Sequence, residues 1–352
     1  MHVRANNTAN DQQRAHAPDV AAEADAALVI DAQDVHKHFG ASPVLSNLSL
    51  QVRAGEIFGL IGPSGSGKTT TIHLLCGHLR PTQGTVLVLG EEPSTFSKAA
   101  RQAIGYMPQS FILFPDLTVT QNVAFAAGLY GINEWRNRDR IAAVLDLVEL
   151  TPARKRTARA LSGGMQRRLA LAAALVHDPT LLFVDEPTAN LDPILRAKLW
   201  THFRSLATRG RTLLVTTQYI DEAEYCDRVG LMYNGALIAE GQPEALRHQA
   251  FGGDQVDIIV DRLPQGGIDV LLQVAEVRAV EEVQTHRLRV TVDRAERAIT
   301  GLLDALQATG VAVQSIGQFR PTFDQVFIRL IAQQGAAPPP VGRLQTSDVG
   351  GG

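Results

Sequence analysis

The eight residues Gly62-Pro63-Ser64-Gly65-Ser66-Gly67-Lys68-Thr69 decide the fold class of this chain. They follow an apolar strand predicted over Glu56 to Ile61 and precede a helical run predicted over Thr70 to Leu75. In the pattern G-x-x-x-x-G-K-[ST], glycines let successive backbone N–H groups converge on phosphate oxygens at the N-terminus of a helix. We expect Lys68 to reach the β- and γ-phosphates and the Thr69 hydroxyl to bind Mg²⁺. The flanking strand and helix favour this phosphate loop, with Thr70 at its end, over a glycine-rich structural turn.

A pair of acidic residues ends another predicted buried strand. The run Leu181-Leu182-Phe183-Val184 leads into Asp185-Glu186, and Pro187 then stops ladder hydrogen bonding. Open α/β sheets place ligands at the carboxyl ends of their strands. Asp185 offers the oxygen ligands that Mg²⁺ prefers, and Glu186 is suited to orient and deprotonate an attacking water. Alone, such a strand end is more often simply solvated, but together with the phosphate loop it indicates metal-assisted hydrolysis.

A second glycine motif, Leu161-Ser162-Gly163-Gly164-Met165, precedes an apolar helix predicted over Leu169 to Leu175. Ser162 is a natural N-cap, but two adjacent glycines in the first turn of a helix lower its stability. Unblocked N–H groups at that helix start would form a second anion site that needs no lysine of its own. Taken alone, the motif is equally compatible with a simple helix cap that binds no anion.

The rest of the chain divides into an α/β region and a smaller region behind it. From Leu28 to about Leu246, short apolar runs alternate with helical patterns, which is typical of a largely parallel sheet covered by helices. Residues 251–333 are predicted to form a small α+β domain, whose last helix starts with the capping-box residues Thr322 and Gln325. We expect residues 1–27 to be a disordered leader and residues 334–352 a disordered tail.

Composition limits the classes of function. The chain has 352 residues, 45% of them hydrophobic, and 33 basic against 36 acidic side chains, which gives a formal net charge of −3. No basic surplus marks it for nucleic acid or anionic lipid, so no nucleic-acid partner is expected. Two cysteines are too few for a disulfide framework, which favours a reducing compartment. Because the chain lacks an apolar run long enough to cross a bilayer, we expect any membrane role to be peripheral.

These motifs resemble those of the nucleotide-binding subunits of ATP-binding cassette (ABC) transporters over about residues 28–246. The resemblance identifies the loop at 62–69 with the Walker A loop, the two acids with Walker B and residues 161–165 with the signature loop. It implies a P-loop NTPase fold, with a nucleotide-binding domain over 28–250 that comprises a RecA-like core and a helical subdomain at about 110–165. It also implies ATP and Mg²⁺ as cofactors.

Further positions take roles from the resemblance. Phe39, before Gly40, falls where the family stacks an aromatic ring on adenine. Gln109, at the end of Gly105-Tyr106-Met107-Pro108-Gln109, resembles the Q-loop glutamine, which touches Mg²⁺ or the attacking water. Ala189-Asn190-Leu191-Asp192 resembles the D-loop, and Thr216-Thr217-Gln218 occupies the switch position, where the family usually has His in the place of residue 218. The resemblance thus places Lys68, Gln109, Glu186 and Gln218 in the catalytic set, and Thr69, Gln109 and Asp185 around the metal.

The chain departs from the common family pattern at two positions. Met165 stands where the family usually has Gln, and Gln218 stands where it usually has His. A Gln amide can donate a hydrogen bond to a phosphate oxygen, but it cannot carry a proton at neutral pH. Both departures, and the segment 321–327 of the C-terminal domain, resemble the subgroup of daunorubicin-type antibiotic exporters. That domain is either a stabilising or dimerising appendage or a regulatory or partner-contact module.

The resemblance also implies partners. Two copies would sandwich two ATP molecules head to tail, so that Ser162, Gly163 and Gly164 of one copy face the nucleotide of the other. Separate integral membrane permease subunits would dock through about residues 109–160, at the cytoplasmic face of the cell membrane, and pass a drug-like or other hydrophobic compound outwards. Apolar residues at 111–114 are either core or a groove for a permease helix. Two alternatives remain. One is a soluble ABC ATPase that acts on ribosomes or nucleic acid. The other is a degenerate, non-hydrolysing subunit, which the intact Lys68, Asp185 and Glu186 argue against.

Overall fold

The computed structural model describes residues 27–109, 114–132, 138–262 and 267–335. The strands of the described residues are β1 (Leu28–Phe39), β2 (Ser42–Arg53), β3 (Ile57–Ile61), β4 (Gln83–Val88), β5 (Ile104–Met107), β6 (Leu181–Asp185), β7 (Thr212–Thr217), β8 (Arg228–Tyr233), β9 (Ala236–Gly241), β10 (Asp254–Val260), β11 (Val277–Gln284), β12 (Arg287–Val292) and β13 (Val313–Phe319). The helices are α1 (Lys68–Leu75), α2 (Lys98–Ala103), α3 (Val119–Leu129), α4 (Arg138–Leu147), α5 (Gly163–Leu175), α6 (Pro193–Ala207), α7 (Pro243–Phe251), α8 (Gly267–Leu272), α9 (Ala295–Ala308) and α10 (Phe323–Gln333).

The central sheet has the order β5-β6-β7-β3-β8-β9. Its first five strands are parallel and β9 is antiparallel to β8. Every residue of β3, β6 and β7 is buried, as expected for strands with both faces covered, since such strands read as continuous apolar runs. The predicted α/β fold is confirmed, and the three apolar runs that the sequence singled out are the strands β3, β6 and β7.

Strands β1, β2 and β4 form a separate antiparallel sheet in the order β2-β1-β4, which the prediction of a largely parallel sheet did not specify. β1 and β2 are joined by the two residues Gly40 and Ala41, and Gly40 has φ +60°. A two-residue connection of this kind forces a hairpin and therefore antiparallel pairing. The alternating burial along β1 and β2 fits a sheet with one face on a core, whereas the parallel strands are buried throughout.

Helices α3, α4 and α5 pack together in the region predicted as a helical subdomain. Apolar residues at helical spacing there are core residues: Val119, Val123, Ile141, Val144, Leu145 and Val148 are all buried. Phe114 and Phe125 instead remain about half exposed. Their rings pack edge to face, with the ring centroids 4.6 Å apart. Residues 111–113 of the expected docking segment lie outside the described residues, as do most of the expected leader and tail.

The C-terminal region contains two packing units. Strands β10 to β13 form an antiparallel sheet in the order β11-β12-β10-β13, which has its own core with α8 and α9. Helix α10 starts with the predicted capping box of Thr322 and Gln325, which is confirmed. Its apolar side chains do not join that core. They extend the core of the nucleotide-binding domain, where the buried members are Phe323, Val326, Phe327, Leu330 and Ile331.

Candidate functional site

The site lies at the edge where the parallel strands of the central sheet end. Ile61 of β3 pairs with Thr217 of β7, and Thr216 pairs with Asp185 of β6. Because these strands are parallel and adjacent, the loops that follow them emerge side by side. The phosphate loop after β3, the acids at the end of β6 and the segment after β7 therefore meet at one edge.

The phosphate loop requires glycine for both conformation and space. Gly67, the N-cap of α1, has φ +105°, in the left-handed region that side chains disfavour, and a Cβ there would lie 2.6 Å from Leu45 Cδ2. A Cβ at Gly62 would lie 2.2 Å from the carbonyl oxygen of Met232. The loop therefore packs directly against its surroundings and ends at the N-terminus of α1, where N–H groups favour an anion.

Lys68 is buried, and its ammonium group is bound by carbonyl oxygens of the phosphate loop and lies next to Glu186. Its Nζ donates to the carbonyl oxygens of Gly62 at 2.8 Å and Pro63 at 3.1 Å, and lies 3.4 Å from Oε1 of Glu186. Burial lowers the pKa of Lys68, while the carboxylates of Glu186 and Asp185 oppose that shift. A phosphate at this position would favour the charged ammonium further, since an opposite charge stabilises it.

Thr69 and Asp185 supply the donor set for a cation. The Thr69 hydroxyl lies 3.4 Å from Oδ1 of Asp185, whose side chain is almost completely buried. Hydroxyl and carboxylate oxygens beside phosphate are the hard ligands that Mg²⁺ takes in nucleotide sites. The residues therefore fit Mg²⁺ bound together with a nucleotide.

Glu186, the second residue of the acid pair, lies next to Lys68, with its Oε1 3.4 Å from Nζ of the lysine. Its backbone has φ +45°, an unusual value for a residue with a side chain. Its Oε2 accepts a hydrogen bond of 2.9 Å from Nε2 of Gln109. Arg167, in the first turns of α5, donates to the carbonyl oxygen of Gln109 at 2.6 Å. The geometry thus brings Lys68, Thr69, Asp185, Glu186 and Gln109 together.

In the part of the chain that the structure describes, no hydrogen bond or ion pair joins Phe39, Gln218 or Ser162 to this group. Phe39, at the end of β1, is 49% exposed, and the Lys37 ammonium lies 5.1 Å from the centroid of its ring. Gln218 follows β7 and is half-buried. Ser162 caps α5 by accepting from the backbone N of Met165 at 3.4 Å. Within the described ranges, no hydrogen bond or ion pair joins the residues at 162–164 to the phosphate loop, so their roles stay predictions.

The two glycines of the signature segment differ in their surroundings. A Cβ on Gly164 would come within 2.5 Å of Leu195 Cδ1, so helix packing accounts for that glycine. A Cβ on Gly163 would meet nothing within 4 Å. Glycine destabilises the first turn of a helix, and packing within the described residues does not require a glycine at position 163.

Sequence reasoning placed Thr216 in the switch segment without giving it a role of its own, and it assigned no role to Arg167. Thr216 bridges the acid pair, because its hydroxyl donates to Oδ1 of Asp185 at 2.5 Å and accepts from the backbone N of Glu186 at 3.1 Å. The signal available in the sequence was a threonine at the carboxyl end of the otherwise apolar run Leu213-Leu214-Val215. A polar residue at the end of a buried strand next to a functional strand is a candidate for contact with it.

Comparisons with known proteins agree with this geometry. The model of the ABC transporter family matches residues 45–189, and the model described as "ATP-binding protein DrrA1-3-like, C-terminal domain" matches residues 241–331. The chain is 36% identical to the daunorubicin resistance ATP-binding protein DrrA3 of Streptomyces coeruleorubidus over 308 residues, which is 87% of this chain and 96% of that protein.

Other relatives match over the front of the chain. A probable multidrug ABC transporter ATP-binding protein of Escherichia coli is 43% identical over 229 residues, 65% of this chain and 40% of that protein, so the chain spans less than half of that relative. The Nod factor export ATP-binding protein I of Burkholderia orbicola is 42% identical over 230 residues, 65% of this chain and 76% of that protein. Among solved structures, an ATP-binding subunit of an ABC transporter is similar with a TM-score of 0.57 at 26% identity, covering 63% of this chain and 92% of that one. A dimeric bacterial ABC transporter cassette is similar with a TM-score of 0.55 at 28% identity, covering 60% and 98%.

Proposed function

Because the chain belongs to the family of ABC transporter ATP-binding proteins, which are ATPases, we propose that it hydrolyses ATP to power export through separate membrane subunits. The observation that carries the proposal is the convergence of Lys68, Asp185 and Glu186 at one sheet edge, with Lys68 Nζ 3.4 Å from Glu186 and the Thr69 hydroxyl 3.4 Å from Asp185. Each of these groups has a distinct task in moving a phosphoryl group to water.

In this mechanism, binding and chemistry use different residues. The N–H groups of the loop at 62–69 and Lys68 hold the phosphates. Thr69 and Asp185 would hold Mg²⁺, which when bound neutralises charge on the phosphate oxygens. Glu186 takes the proton of the attacking water, and Gln109, which contacts its carboxylate, orients that water. Gln218 donates a hydrogen bond to the transferred group without accepting a proton.

We propose that the active form is a head-to-tail dimer. The open space around Gly163 supports this, since a nucleotide bound to a partner would account for a glycine that packing within the chain does not require. Ser162, Gly163 and Gly164 would then bind the γ-phosphate of ATP held by the other copy. ATP would favour the closed pair and hydrolysis would remove that contact, which gives a two-state clamp.

The permease partner would dock beside the helical subdomain. None of the described helices has the length and hydrophobicity needed to span a bilayer. A cleft of about 730 Å³ lies between the end of α1, the segment at 93–106 and the end of α3, lined in part by His78, Tyr106 and Leu129. Leu129 is 73% exposed, and Phe114 and Phe125 are also exposed on this part of the chain. A cleft that combines polar lining residues with an exposed apolar side chain such as Leu129 suits a short amphipathic helix of a membrane subunit, at the cytoplasmic face of the membrane.

Export of a drug-like or other hydrophobic compound is the transport role we propose. It is supported by the similarity to relatives that are named for daunorubicin resistance and for Nod factor export. The domain matching the DrrA1-3-like C-terminal family strengthens the link to that subgroup. Co-purification of the full chain with an integral membrane protein supports this proposal, whereas turnover stimulated by nucleic acid or ribosomes without a membrane partner contradicts it.

Glu186→Gln tests the catalytic proposal. Loss of a general base lowers turnover by about 10²- to 10⁴-fold. Binding of Mg²⁺-ATP should persist, because Lys68, Thr69 and Asp185 are intact. Glu296→Gln, a change at an exposed position of α9, serves as the matched control and should leave turnover unchanged. Near wild-type ATPase activity in Glu186→Gln would overturn the assignment of the base.

A further inference from the structure

The hydroxyl of Thr216 connects the two carboxylates of the site. It donates to Oδ1 of Asp185 at 2.5 Å, and it accepts from the backbone N of Glu186 at 3.1 Å. The carbonyl oxygen of Thr216 accepts from the same N–H of Glu186 at 3.0 Å. One residue at the end of β7 therefore fixes both members of the acid pair on β6.

Packing alone does not explain a threonine here. Thr216 is completely buried and lies in a strand whose preceding residues, Leu213-Leu214-Val215, are apolar. Valine has nearly the same shape and favours strands, so a site that needed only to be filled would accept it. Burying a hydroxyl carries a desolvation penalty unless it is hydrogen-bonded. Here that penalty is offset by a short bond to a carboxylate, which is among the stronger classes of hydrogen bond.

The direction of the bonds determines what they do. Thr216 and Thr69 both approach the same oxygen of Asp185, Oδ1. The bond from Thr216 therefore limits rotation of the carboxylate and holds Oδ1 beside the Thr69 hydroxyl, the pair of oxygens that would bind a cation together. At the same time the hydroxyl of Thr216 helps to hold the peptide of Glu186, whose φ of +45° needs support from its surroundings.

We propose that Thr216 is a positioning residue. It orients the carboxylate of Asp185 for Mg²⁺ and holds the backbone of Glu186 in place beside it. The inference rests on the proposed function, since it concerns the same site. It assigns to Thr216 the task of an outer partner of a metal ligand. Partners of this kind change metal affinity by about 10- to 100-fold when they are removed.

The test compares Thr216→Val with Thr216→Ser in the full-length chain. Binding of a non-hydrolysable ATP analogue is measured by calorimetry with Mg²⁺ and with a chelator. Thr216→Val should weaken the Mg²⁺-dependent part of binding by about 10- to 100-fold and leave metal-free binding within about twofold. Thr216→Ser, which keeps the hydroxyl, should recover most of the Mg²⁺ dependence.

Thr212→Val is the matched control, because Thr212 is a buried threonine at the other end of the same strand. Its hydroxyl accepts from the backbone N of Gly55 at 2.9 Å, so the change removes a comparable hydrogen bond away from the site. We expect it to lower stability without changing Mg²⁺ dependence. Thr216→Ala takes the place of Thr216→Val if the latter does not fold.

Two outcomes are distinguishable. If the wild-type chain binds the analogue with Mg²⁺ and the Thr216 variants show the same Mg²⁺ dependence, or if Thr216→Ser does not restore it, the positioning role is wrong while the proposed function stands. If the wild-type chain shows no Mg²⁺-dependent binding of adenine nucleotide, the proposed function falls and this inference falls with it.

Discussion

Replacing Phe327 by alanine tests whether the last helix belongs to the core of the nucleotide-binding domain. Phe327 is fully buried on α10, and its ring meets that of Tyr233 edge to face, with centroids 6.3 Å apart. Truncating a buried Phe to Ala costs about 3–5 kcal/mol. With a urea slope of about 2–3 kcal/mol per molar, the unfolding midpoint should fall by about 1–2.5 M.

The assay follows the fluorescence of Trp200 during urea unfolding. Trp200 is buried on α6 in the same core cluster as Phe327, and a Trp135→Phe background leaves Trp200 as the sole tryptophan of the two in the sequence. Ile328→Ala provides the control, since Ile328 is the next residue on α10 and is 36% exposed. It should lower the free energy of unfolding by less than about 1 kcal/mol. If the urea midpoint reported by Trp200 is the same in Phe327→Ala as in Ile328→Ala, α10 does not stabilise that core and the reasoning is refuted.

Two further predictions concern the switch position and the C-terminal sheet. Gln218→Ala should lower turnover by about tenfold, the loss expected for one hydrogen bond to a charged group, and Gln218→His should restore it with a new dependence on pH near about 6.5, visible in steady-state rates; a wild-type rate in Gln218→Ala would contradict this. Burial raises the pKa of Asp257, but hydrogen bonds from Arg289 and Arg287 outweigh burial and hold that pKa below its usual 3.8. Asp257 therefore contributes stability that is present above pH 3.8 and is lost as the pH falls through the lower folded-state pKa. In urea unfolding, the deficit of Asp257→Asn should be largest near neutral pH and shrink in acid, unlike that of Asp304→Asn on the exposed part of α9, and a pH-independent deficit would count against the ion pairs.

The phosphate loop and the acid pair could be predicted from the sequence because both are local. In each case a buried strand leads directly into the functional residues, so one short stretch carries the element and the chemistry. The pairing partner of an element is not local. The strands β1 and β2 have an alternating pattern of apolar residues, which occurs in several kinds of sheet and does not identify a strand's partners. Only the structure shows that these strands form a sheet separate from the central one.

Helix α10 illustrates the same limit. Its sequence predicts an amphipathic helix with a capping box, and both features are confirmed. Hydrophobic periodicity indicates which face is buried but not which core covers it. The structure places that face on the nucleotide-binding domain, where Arg247 of α7 donates to the carbonyl oxygen of Pro321 at 3.0 Å and stacks on Phe323 at 4.7 Å. Thr216 escaped prediction for a related reason, since its two partners are about 30 residues away in the sequence, on β6.

In the structure, the residues on both sides of Gln218 hold its backbone through contacts that do not involve its side chain. Thr217, before Gln218, accepts at its carbonyl oxygen from the backbone N of Gly62 at 3.2 Å, and its hydroxyl accepts from the backbone N of Tyr219 at 3.0 Å. The ring of Tyr219 lies 3.8 Å from the guanidinium of Arg196, on the helix that follows the D-loop segment. Neighbours on both sides therefore fix the backbone at residue 218, and none of these contacts uses its side chain. We therefore expect a substitution at residue 218 to change the proton chemistry available at this point, while Thr217 and Tyr219 keep the backbone of residue 218 in place beside the phosphate loop.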